Sequence, residues 1–211
     1  MKKLFILVVV IGIYIFISTR PTIDAFNDAG KALTLVYTIE PCAPSENACD
    51  SIRDILQQYS IEFEEINLTD ETNPLKKVRA MGGGKTLPYT VIGDRSMEGF
   101  DKIELAAMVD RAYGIDILTE NERRIIDSHF YADGSEKVVI YSANDCEDCQ
   151  KTRAYFTTND IPYKEVSTDD DAKGKADYKA LKPSGFPLTF VGYKRINGFD
   201  ETTLEQAMES D

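Results

Sequence analysis

Two pairs of cysteines are the residues of this chain whose type and spacing could do chemistry. Two residues separate Cys146 from Cys149, six separate Cys42 from Cys49, and these are all four cysteines of the chain. Cysteine pairs this close along a chain are more often redox-active or metal-binding than a framework that holds a fold together. The spacing therefore predicts thiol–disulfide exchange, with half of a zinc site or a purely structural disulfide as the alternatives.

The position of Cys146 favours a reactive thiolate. The pair follows an apolar, strand-like run and opens a helical stretch, and free N–H groups and the dipole at a helix N-terminus stabilise a thiolate. We therefore expect Cys146 to attack and Cys149 to resolve the mixed disulfide. Because Glu147 and Asp148 place negative charge beside Cys146, the pair is predicted to be a reductant or mild exchanger rather than a strong oxidant.

An internal repeat organises the chain after its N-terminal segment. The first cysteines of the two pairs are offset by 104 residues and the second cysteines by 100, so the first copy carries four extra residues between them. Ahead of the cysteines, the run 33–37 matches 137–141 with the same offset of 104. Further along, the offset is 99: the run 88–93 matches 187–192, and 99–101 matches 198–200.

Each copy predicts the same elements in the same order. A buried strand, the cysteine pair and a helix come first, followed by a strand, a helix, a hairpin led by proline, and a last helix. Asp101 and Asp200 are suited to cap the last helices. Residues 115–135 are predicted to be a linker, with a short helix after the capping-box pattern Thr119 to Glu122. The fold class is therefore α/β, with helices packed on sheets.

A proline leads the strand that should face the second cysteine pair. Gly185, Phe186 and Pro187 precede a β-branched and apolar run. A cis bond before proline costs little and is usually retained for a purpose, whereas an ordinary proline can also stand at a strand edge. Behind a cysteine pair in a repeat, we favour the cis bond, which would present the backbone of Phe186 to an extended substrate.

Together these runs resemble the glutaredoxin family. The resemblance rests on the segment around Cys146 and Cys149, on the run 186–192 and on the run 197–200. It covers a domain at 136–211, and the first copy resembles the same family over 31–114. The resemblance implies two tandem thioredoxin folds and a thiol–disulfide oxidoreductase that acts on protein or glutathione disulfides.

The resemblance also implies roles for individual residues. Cys146 would be the nucleophile and Cys149 the resolving thiol, while glutathione would be a co-substrate and not a tightly bound cofactor. The expected contacts to substrate or glutathione are Phe186, Pro187, Gly198, Phe199 and Asp200. Two departures from the family pattern weigh against glutathione as the partner: the acidic pair between the cysteines, and the single glycine before Phe199.

The first copy is predicted to keep the fold, with either a structural or a redox role for its cysteines. Leu87 and Pro88 match the cis-proline position, and Cys42 and Cys49 are a candidate second redox pair. The four extra residues should move Cys42 into a loop ahead of the helix and weaken its stabilisation by the helix dipole. A structural or degenerate role is therefore favoured over an auxiliary redox role.

Charge and composition exclude other functions. The chain carries 36 acidic and 24 basic residues and a net charge of −12, whereas binding of nucleic acid needs clustered Lys and Arg. The single histidine, His129, has no cysteine near it in sequence, so it is expected to be packed or solvent-exposed and no metal site is predicted. The run 82–86 lacks the first glycine of a phosphate loop, where Arg79 stands, and is predicted to be a turn.

Residues 1–21 are the predicted membrane segment. Two lysines precede an almost unbroken apolar run from Leu4 to Ser18. A cleaved signal peptide would share these features, but a clean small-residue cleavage pattern is missing, which favours an uncleaved signal anchor. The run is slightly shorter than the roughly 20 residues of a spanning helix, but Lys3 and Arg20 can reach the interfaces. The remaining chain is expected outside the cytoplasm, or secreted if the segment is cleaved.

The sequence thus leads to one function and one alternative. The favoured function is a membrane-tethered thiol–disulfide oxidoreductase that works through Cys146 and Cys149. The alternative is a membrane-tethered binding module for thiol clients, in which both cysteine pairs are structural.

Overall fold

The chain contains two four-stranded sheets of the same topology. The computed structural model describes residues 25–42, 47–80 and 86–208. In each sheet the strand order, numbered along that copy, is second, first, third and fourth. The first and second strands are parallel, and the other two neighbouring pairs are antiparallel. This mixed α/β architecture is consistent with two tandem thioredoxin-like folds.

The first sheet has helices on both faces. Val36 lies on the face covered by Ile52 and Leu56 of the first helix, whereas Tyr37 packs with Val78 of the second helix on the opposite face. This alternation follows from the two-residue period of a strand. The elements are β1 Thr34–Thr38, α1 Ala48–Gln58, β2 Glu64–Asn67, α2 Pro74–Ala80, β3 Tyr89–Ile92, β4 Arg95–Glu98 and α3 Lys102–Tyr113.

The second sheet repeats this arrangement. Ile140 packs with Phe156 and Leu204 on one face, and its neighbours Val139 and Tyr141 pack on the other. The elements are α4 Glu120–Asp127, β5 Val138–Ser142, α5 Glu147–Thr158, β6 Tyr163–Ser167, α6 Ala172–Ala180, β7 Leu188–Val191, β8 Lys194–Asn197 and α7 Glu201–Met208. The predicted order of elements is therefore present in both copies, with shifts of a few residues at their ends.

The predicted caps are present. Asp101 Oδ1 accepts hydrogen bonds from the N–H groups of Ile103 at 2.8 Å and Glu104 at 3.0 Å. Thr119 and Glu122 form the complete capping box at the start of α4. Asp200 Oδ1 likewise accepts from the N–H of Thr203 at 2.7 Å, at the start of α7. These bonds satisfy N–H groups that the helix itself leaves free.

The linker helix α4 contributes to the core of the second sheet. The sequence favours a simple connector here, but Ile125 and Ile126 are fully buried in one cluster with Val139 and Phe190. His129, just after α4, is also fully buried, and its Nε2 lies 3.0 Å from the hydroxyl oxygen of Tyr141. The histidine is therefore packed, one of the two outcomes expected from sequence.

The start of α3 connects the two sheets. Ile103 is buried in the core cluster of the second sheet, although it follows the first sheet in sequence. The guanidinium of Arg195, in β8, donates to Asp101 Oδ2 at 3.3 Å. The Arg195 and Asp101 side chains are largely shielded from solvent, with 13% and 19% of their surface exposed. The hydrogen bond of Asp101 and the apolar packing of Ile103 thus both join the start of α3 to the second sheet.

Some sequence predictions fall on residues outside the described ranges. These are the membrane segment 1–21, most of the glycine-rich turn at 82–86, and residues 43–46 between the first cysteines. Within the ranges that are described, no helix has the length and apolar character needed to cross a membrane.

Candidate functional site

Cys146 occupies the N-cap of α5. Its backbone is extended, with φ −111° and ψ 105°, and its Sγ accepts a hydrogen bond from the N–H of Cys149 at 3.0 Å. The helix begins at Glu147, directly after Cys146. The sulfur of Cys146 therefore lies where free N–H groups and the helix dipole stabilise negative charge.

The two cysteines differ in accessibility and are bonded to each other. The Cys146–Cys149 disulfide joins Cα atoms 5.2 Å apart. Cys149, the third residue of α5, is completely buried, whereas Cys146 is partly exposed. An incoming sulfur can therefore reach Cys146, while Cys149 is accessible only from within the pair.

Two contacts hold the loop that carries Cys146. The N–H of Asn144 donates to Asp169 Oδ2 at 2.7 Å, and the carbonyl of Ser142 accepts from the N–H of Thr168 at 2.9 Å. The β6–α6 loop thus lies alongside the cysteine loop. Sequence reasoning missed Asp169; the only signal for it was a run of three aspartates directly after a predicted strand.

A hydrogen-bond network at the partly buried edge of the sheet joins α5 to β5 and β6. Its residues Ser142 and Arg153 lie four residues before Cys146 and four residues after Cys149. Glu165 of β6 accepts from Arg153 Nη2 at 2.7 Å and from Ser142 Oγ at 2.5 Å. Burial opposes ionisation of Glu165, but these hydrogen bonds prevail and lower its pKa. The network fixes the end of β5 and the first turns of α5, between which Cys146 lies.

The same network exists in the first copy. Glu65 accepts from Thr38 Oγ1 and from Arg53 Nε, each at 2.8 Å. Chain positions 38, 53 and 65 correspond to 142, 153 and 165 with the offsets of the repeat. The duplicated fold thus retains both the carboxylate and its partners.

The peptide bond between Phe186 and Pro187 is cis, as the sequence suggested. The Phe186 ring stacks on Tyr178 with centroids 4.3 Å apart and planes nearly parallel. The corresponding bond between Leu87 and Pro88 is also cis, as is the bond between Glu40 and Pro41. Phe186 and Cys146 both line one shallow surface depression of about 460 Å³.

The depression beside Cys146 is acidic. Four of its lining residues carry carboxylates, and the others are Ala143, Cys146 and Phe186. Lys151 Nζ lies 3.0 Å from Glu147 and 2.9 Å from Asp148 and offsets part of this charge. The four acidic lining residues are Asp145, Glu147, Asp148 and Asp169.

The predicted glutathione end lies at the start of α7. Gly198 adopts a left-handed φ of 77°, which glycine tolerates without strain, and its N–H donates to the carbonyl of Pro187 at 2.8 Å. Phe199 packs with the core and contacts the ring of Tyr155. Gly198, Phe199 and Asp200 are not among the residues that line the depression at Cys146.

The first cysteine pair has a different geometry. Cys42 and Cys49 form a disulfide with Cα atoms 6.2 Å apart, but α1 begins only at Ala48, and Cys42 lies in a loop five residues before the N-cap Asn47. Asn47 is left-handed, with φ 45°, and makes no side-chain capping bond. Cys49 is buried. The extra residues thus separate Cys42 from the helix N-terminus, as expected.

Metal binding has no structural support in the part of the chain that is described. No cluster of three or more His, Cys, Asp or Glu side chains that could hold an ion is found within those residues.

Comparisons with known proteins agree with the resemblance seen in the sequence. The family model described as Glutaredoxin matches residues 138–196. A glutaredoxin-like 8.6 kDa protein in the rubredoxin operon of Clostridium pasteurianum is 30% identical over 73 residues, which are 34% of this chain and 97% of that protein. The chain therefore belongs to the glutaredoxin family.

Solved structures with lower similarity were also found. The thioredoxin-like protein BC3987 is 21% identical, with 34% of this chain and 99% of that chain covered and a TM-score of 0.32. The glutaredoxin grx-1 from Archaeoglobus fulgidus is 19% identical, with 37% and 91% covered and a TM-score of 0.32.

Proposed function

We propose that the second domain is a thiol–disulfide oxidoreductase that works through Cys146 and Cys149. The observation that carries the proposal is the asymmetric pair at the start of α5. The Cys146 sulfur is accessible and accepts an N–H bond at the helix N-terminus, while Cys149 is buried. This is the arrangement that a nucleophilic and a resolving thiol require.

The reaction is a pair of thiol–disulfide exchanges. In the dithiol form, the Cys146 thiolate attacks one sulfur of the substrate disulfide, which forms a mixed disulfide and releases the other substrate sulfur as a thiolate. Cys149 then loses its proton and attacks Cys146 Sγ, which restores the Cys146–Cys149 disulfide and releases the second substrate thiol. Two electrons pass to the substrate, and an external thiol reductant must return the pair to the dithiol.

The acidic surroundings favour electron donation over strong oxidation. In thiol–disulfide oxidoreductases that are strong oxidants, the reduced dithiol form is stabilised, in part because the attacking cysteine is held as a thiolate. Glu147 and Asp148 flank Cys146 in sequence and add negative charge next to that thiolate. We therefore propose a reductant or mild exchanger, with protein or glutathione disulfides as the general class of partner.

The first domain is proposed to be a structural or degenerate copy. Cys42 lies five residues before the N-cap of α1, whereas Cys146 is itself the N-cap of α5, and a thiolate at Cys42 is therefore proposed to gain less from the helix dipole. The retained sheet and Arg53–Glu65 pair of the first domain support a preserved fold.

We also propose that the chain is tethered to a membrane by residues 1–21, with both domains outside the cytoplasm. The apolar run between Lys3 and Arg20 supports the tether, and the basic N-terminal tip supports the orientation. Fractionation of cells, with protease added to the intact outer face, would test both: the domains should be degraded and residues near the tip protected. Recovery of the full chain in the soluble fraction would contradict the tether.

The redox proposal is tested by titrating the full chain with glutathione redox buffers, followed by alkylation and mass spectrometry. We expect Cys146 and Cys149 to titrate together between about −180 and −270 mV, the range of exchange proteins. Both pairs remaining oxidised below about −300 mV would be the behaviour of structural disulfides and would favour the binding module. That alternative further requires a client to bind after all four cysteines are changed to serine.

A further inference from the structure

We propose that the substrate of the second domain is a polypeptide whose reactive cysteine is flanked by basic residues. The inference rests on the proposed function, because it concerns which disulfide reaches Cys146. Its basis is the charge around the sulfur, together with the comparison that the internal repeat provides.

The carboxylates come from two chain segments that both line the depression at the reactive sulfur. Asp145, Glu147 and Asp148 surround Cys146 on its own loop and the first turn of α5, and Asp169 faces them from the β6–α6 loop. Lys151 is the cation paired with two of them, which leaves the depression with a net negative charge. A substrate sulfur that approaches Cys146 must bring its neighbouring groups into this field.

The first domain shows that the fold does not require these carboxylates. With the offsets of the repeat, the positions that correspond to 145, 147, 148 and 169 hold neutral residues. The neutral residues are Pro41, Asn47, Ala48 and Thr69.

Asp169 provides the sharpest case. Its carboxylate anchors the N–H of Asn144, and in the first copy the hydroxyl of Thr69 anchors the N–H of Glu40 in the same way, at 2.7 Å. A threonine therefore suffices to accept the hydrogen bond that anchors the cysteine loop, and the fold does not require the negative charge of Asp169. By contrast, the network of Glu165, which does hold the fold, is retained in both copies.

The shape of the site favours a polypeptide. The depression is open to solvent, and the stacked rings of Phe186 and Tyr178 form an apolar surface beside the acidic groups. Because the carboxylates lie on both loops, they can contact residues on both sides of a substrate cysteine. Glutathione and its disulfide are anions at neutral pH and are repelled by the same field.

The test compares matched substrates with the reduced full chain. Two peptides of equal length, each with one cysteine flanked by lysines or by glutamates, are presented as mixed disulfides with the same small thiol. We expect the basic peptide to react at least about tenfold faster at about 0.01 M salt, and the ratio to fall toward one at about 1 M salt, where the Debye length is about 3 Å. Glutathione disulfide should behave like the acidic peptide.

Variants that replace two of the carboxylates by neutral side chains separate charge from folding. Asp145→Asn with Asp169→Thr should lower the ratio of the two peptide rates by at least about threefold. Asp160→Asn is an exposed change two residues past the end of α5, whose 12 residues span about 18 Å, and it should leave the ratio unchanged. The ratio is the readout because a change in Cys146 reactivity alone would alter both rates equally.

The outcomes distinguish this inference from the proposed function. If both peptides react at equal rates at low salt, or the double variant keeps the full ratio, the basic-substrate inference is overturned while the exchange activity stands. If neither peptide disulfide is reduced, the proposed function itself fails. Glutathione disulfide reacting faster than the basic peptide would also overturn the inference.

Discussion

The N–H of Cys149 points at the sulfur of Cys146, with 3.0 Å between the two atoms. The residue that should resolve the mixed disulfide thereby also supplies a hydrogen bond to the attacking sulfur. This contact exists because Cys146 is the N-cap of α5 and Cys149 is the third residue of that helix. The spacing of the pair and the start of the helix are therefore one structural feature.

Because Cys146 is proposed to attack and Cys149 to resolve, replacing each cysteine should stop the reaction at a different step. Cys146→Ser should abolish reduction of a peptide disulfide, because the only accessible sulfur of the pair is lost. Cys149→Ser should still attack and then accumulate the mixed disulfide, because nothing resolves it. Intact-mass spectrometry after one turnover distinguishes the two products.

The control for this experiment is Cys42→Ser with Cys49→Ser. We expect this variant to retain peptide reduction, since the proposed reaction does not use the first pair. A loss of activity equal to that of Cys146→Ser would show that electrons pass through the first domain.

Glu165→Gln should weaken the anchoring of the cysteine loop. The change removes the charge from hydrogen bonds donated by Arg153 and Ser142. Because the pair is partly exposed, we expect a loss of only about 1 kcal/mol in the free energy of unfolding, together with slower exchange at Cys146. Denaturant titration and peptide-reduction rates measure the two effects.

Glu65→Gln is the matched control for Glu165→Gln. It breaks the same network in the first copy and should cost a similar free energy of unfolding. We expect the exchange rate at Cys146 to remain unchanged. Equal slowing by both variants would mean that global destabilisation, rather than local positioning, limits the reaction.

Ile103→Ala should destabilise the second domain even though Ile103 belongs to a helix of the first. Its side chain is buried in the cluster around Val139 and Phe190, and truncating a buried isoleucine costs about 2–5 kcal/mol. We expect faster hydrogen exchange at the amides of β5 and β7, measured by mass spectrometry.

Leu105→Ala, in the same helix, provides the comparison for Ile103→Ala. Leu105 is fully buried in the core of the first sheet. Its truncation should raise exchange at β1 and β3 and leave β5 and β7 protected. Protection lost equally in both sheets by either variant would indicate that the two domains unfold as one unit.

The burial of His129 leads us to expect that the free energy of unfolding declines as the pH falls. Burial, followed by the charge of Lys164, lowers the pKa of His129 from 6.5 to about 4. Between these values the unfolded chain binds a proton that the folded chain does not, so this contribution is complete above pH 6.5 and is lost as the pH falls toward 4. The loss should reach about 3 kcal/mol.

The contribution of His129 to this pH dependence is measured by comparing the native chain with His129→Gln. His129→Gln cannot take up the proton but can still contact the hydroxyl of Tyr141. The free energy of unfolding of this variant should fall less steeply between pH 6.5 and 4 than that of the native chain. Parallel curves for the two proteins would rule out a neutral, buried His129 as the cause.

Local sequence was sufficient for the features that depend on neighbouring residues. The position of Cys146 at a helix start, the caps by Asp101 and Asp200, and the capping box from Thr119 to Glu122 all follow from short-range spacing. The duplication was visible because both copies keep the same order of motifs. In the caps and at the helix start, donor and acceptor lie within a few residues of each other in sequence, so the local residue pattern predicts the hydrogen bond.

Tertiary structure alone decided which distant residues meet. Asp169 lies beside Cys146 because the parallel pairing of β5 with β6 brings the ends of both strands to one edge of the sheet. Ile103 enters the core of the second sheet, and Arg195 reaches Asp101, through packing between the two copies. Such contacts depend on how whole elements pack, and no local period or motif encodes them. The charge of Glu147 and Asp148 beside Cys146 was visible in the sequence, but the contribution of Asp169 emerged only from the folded chain.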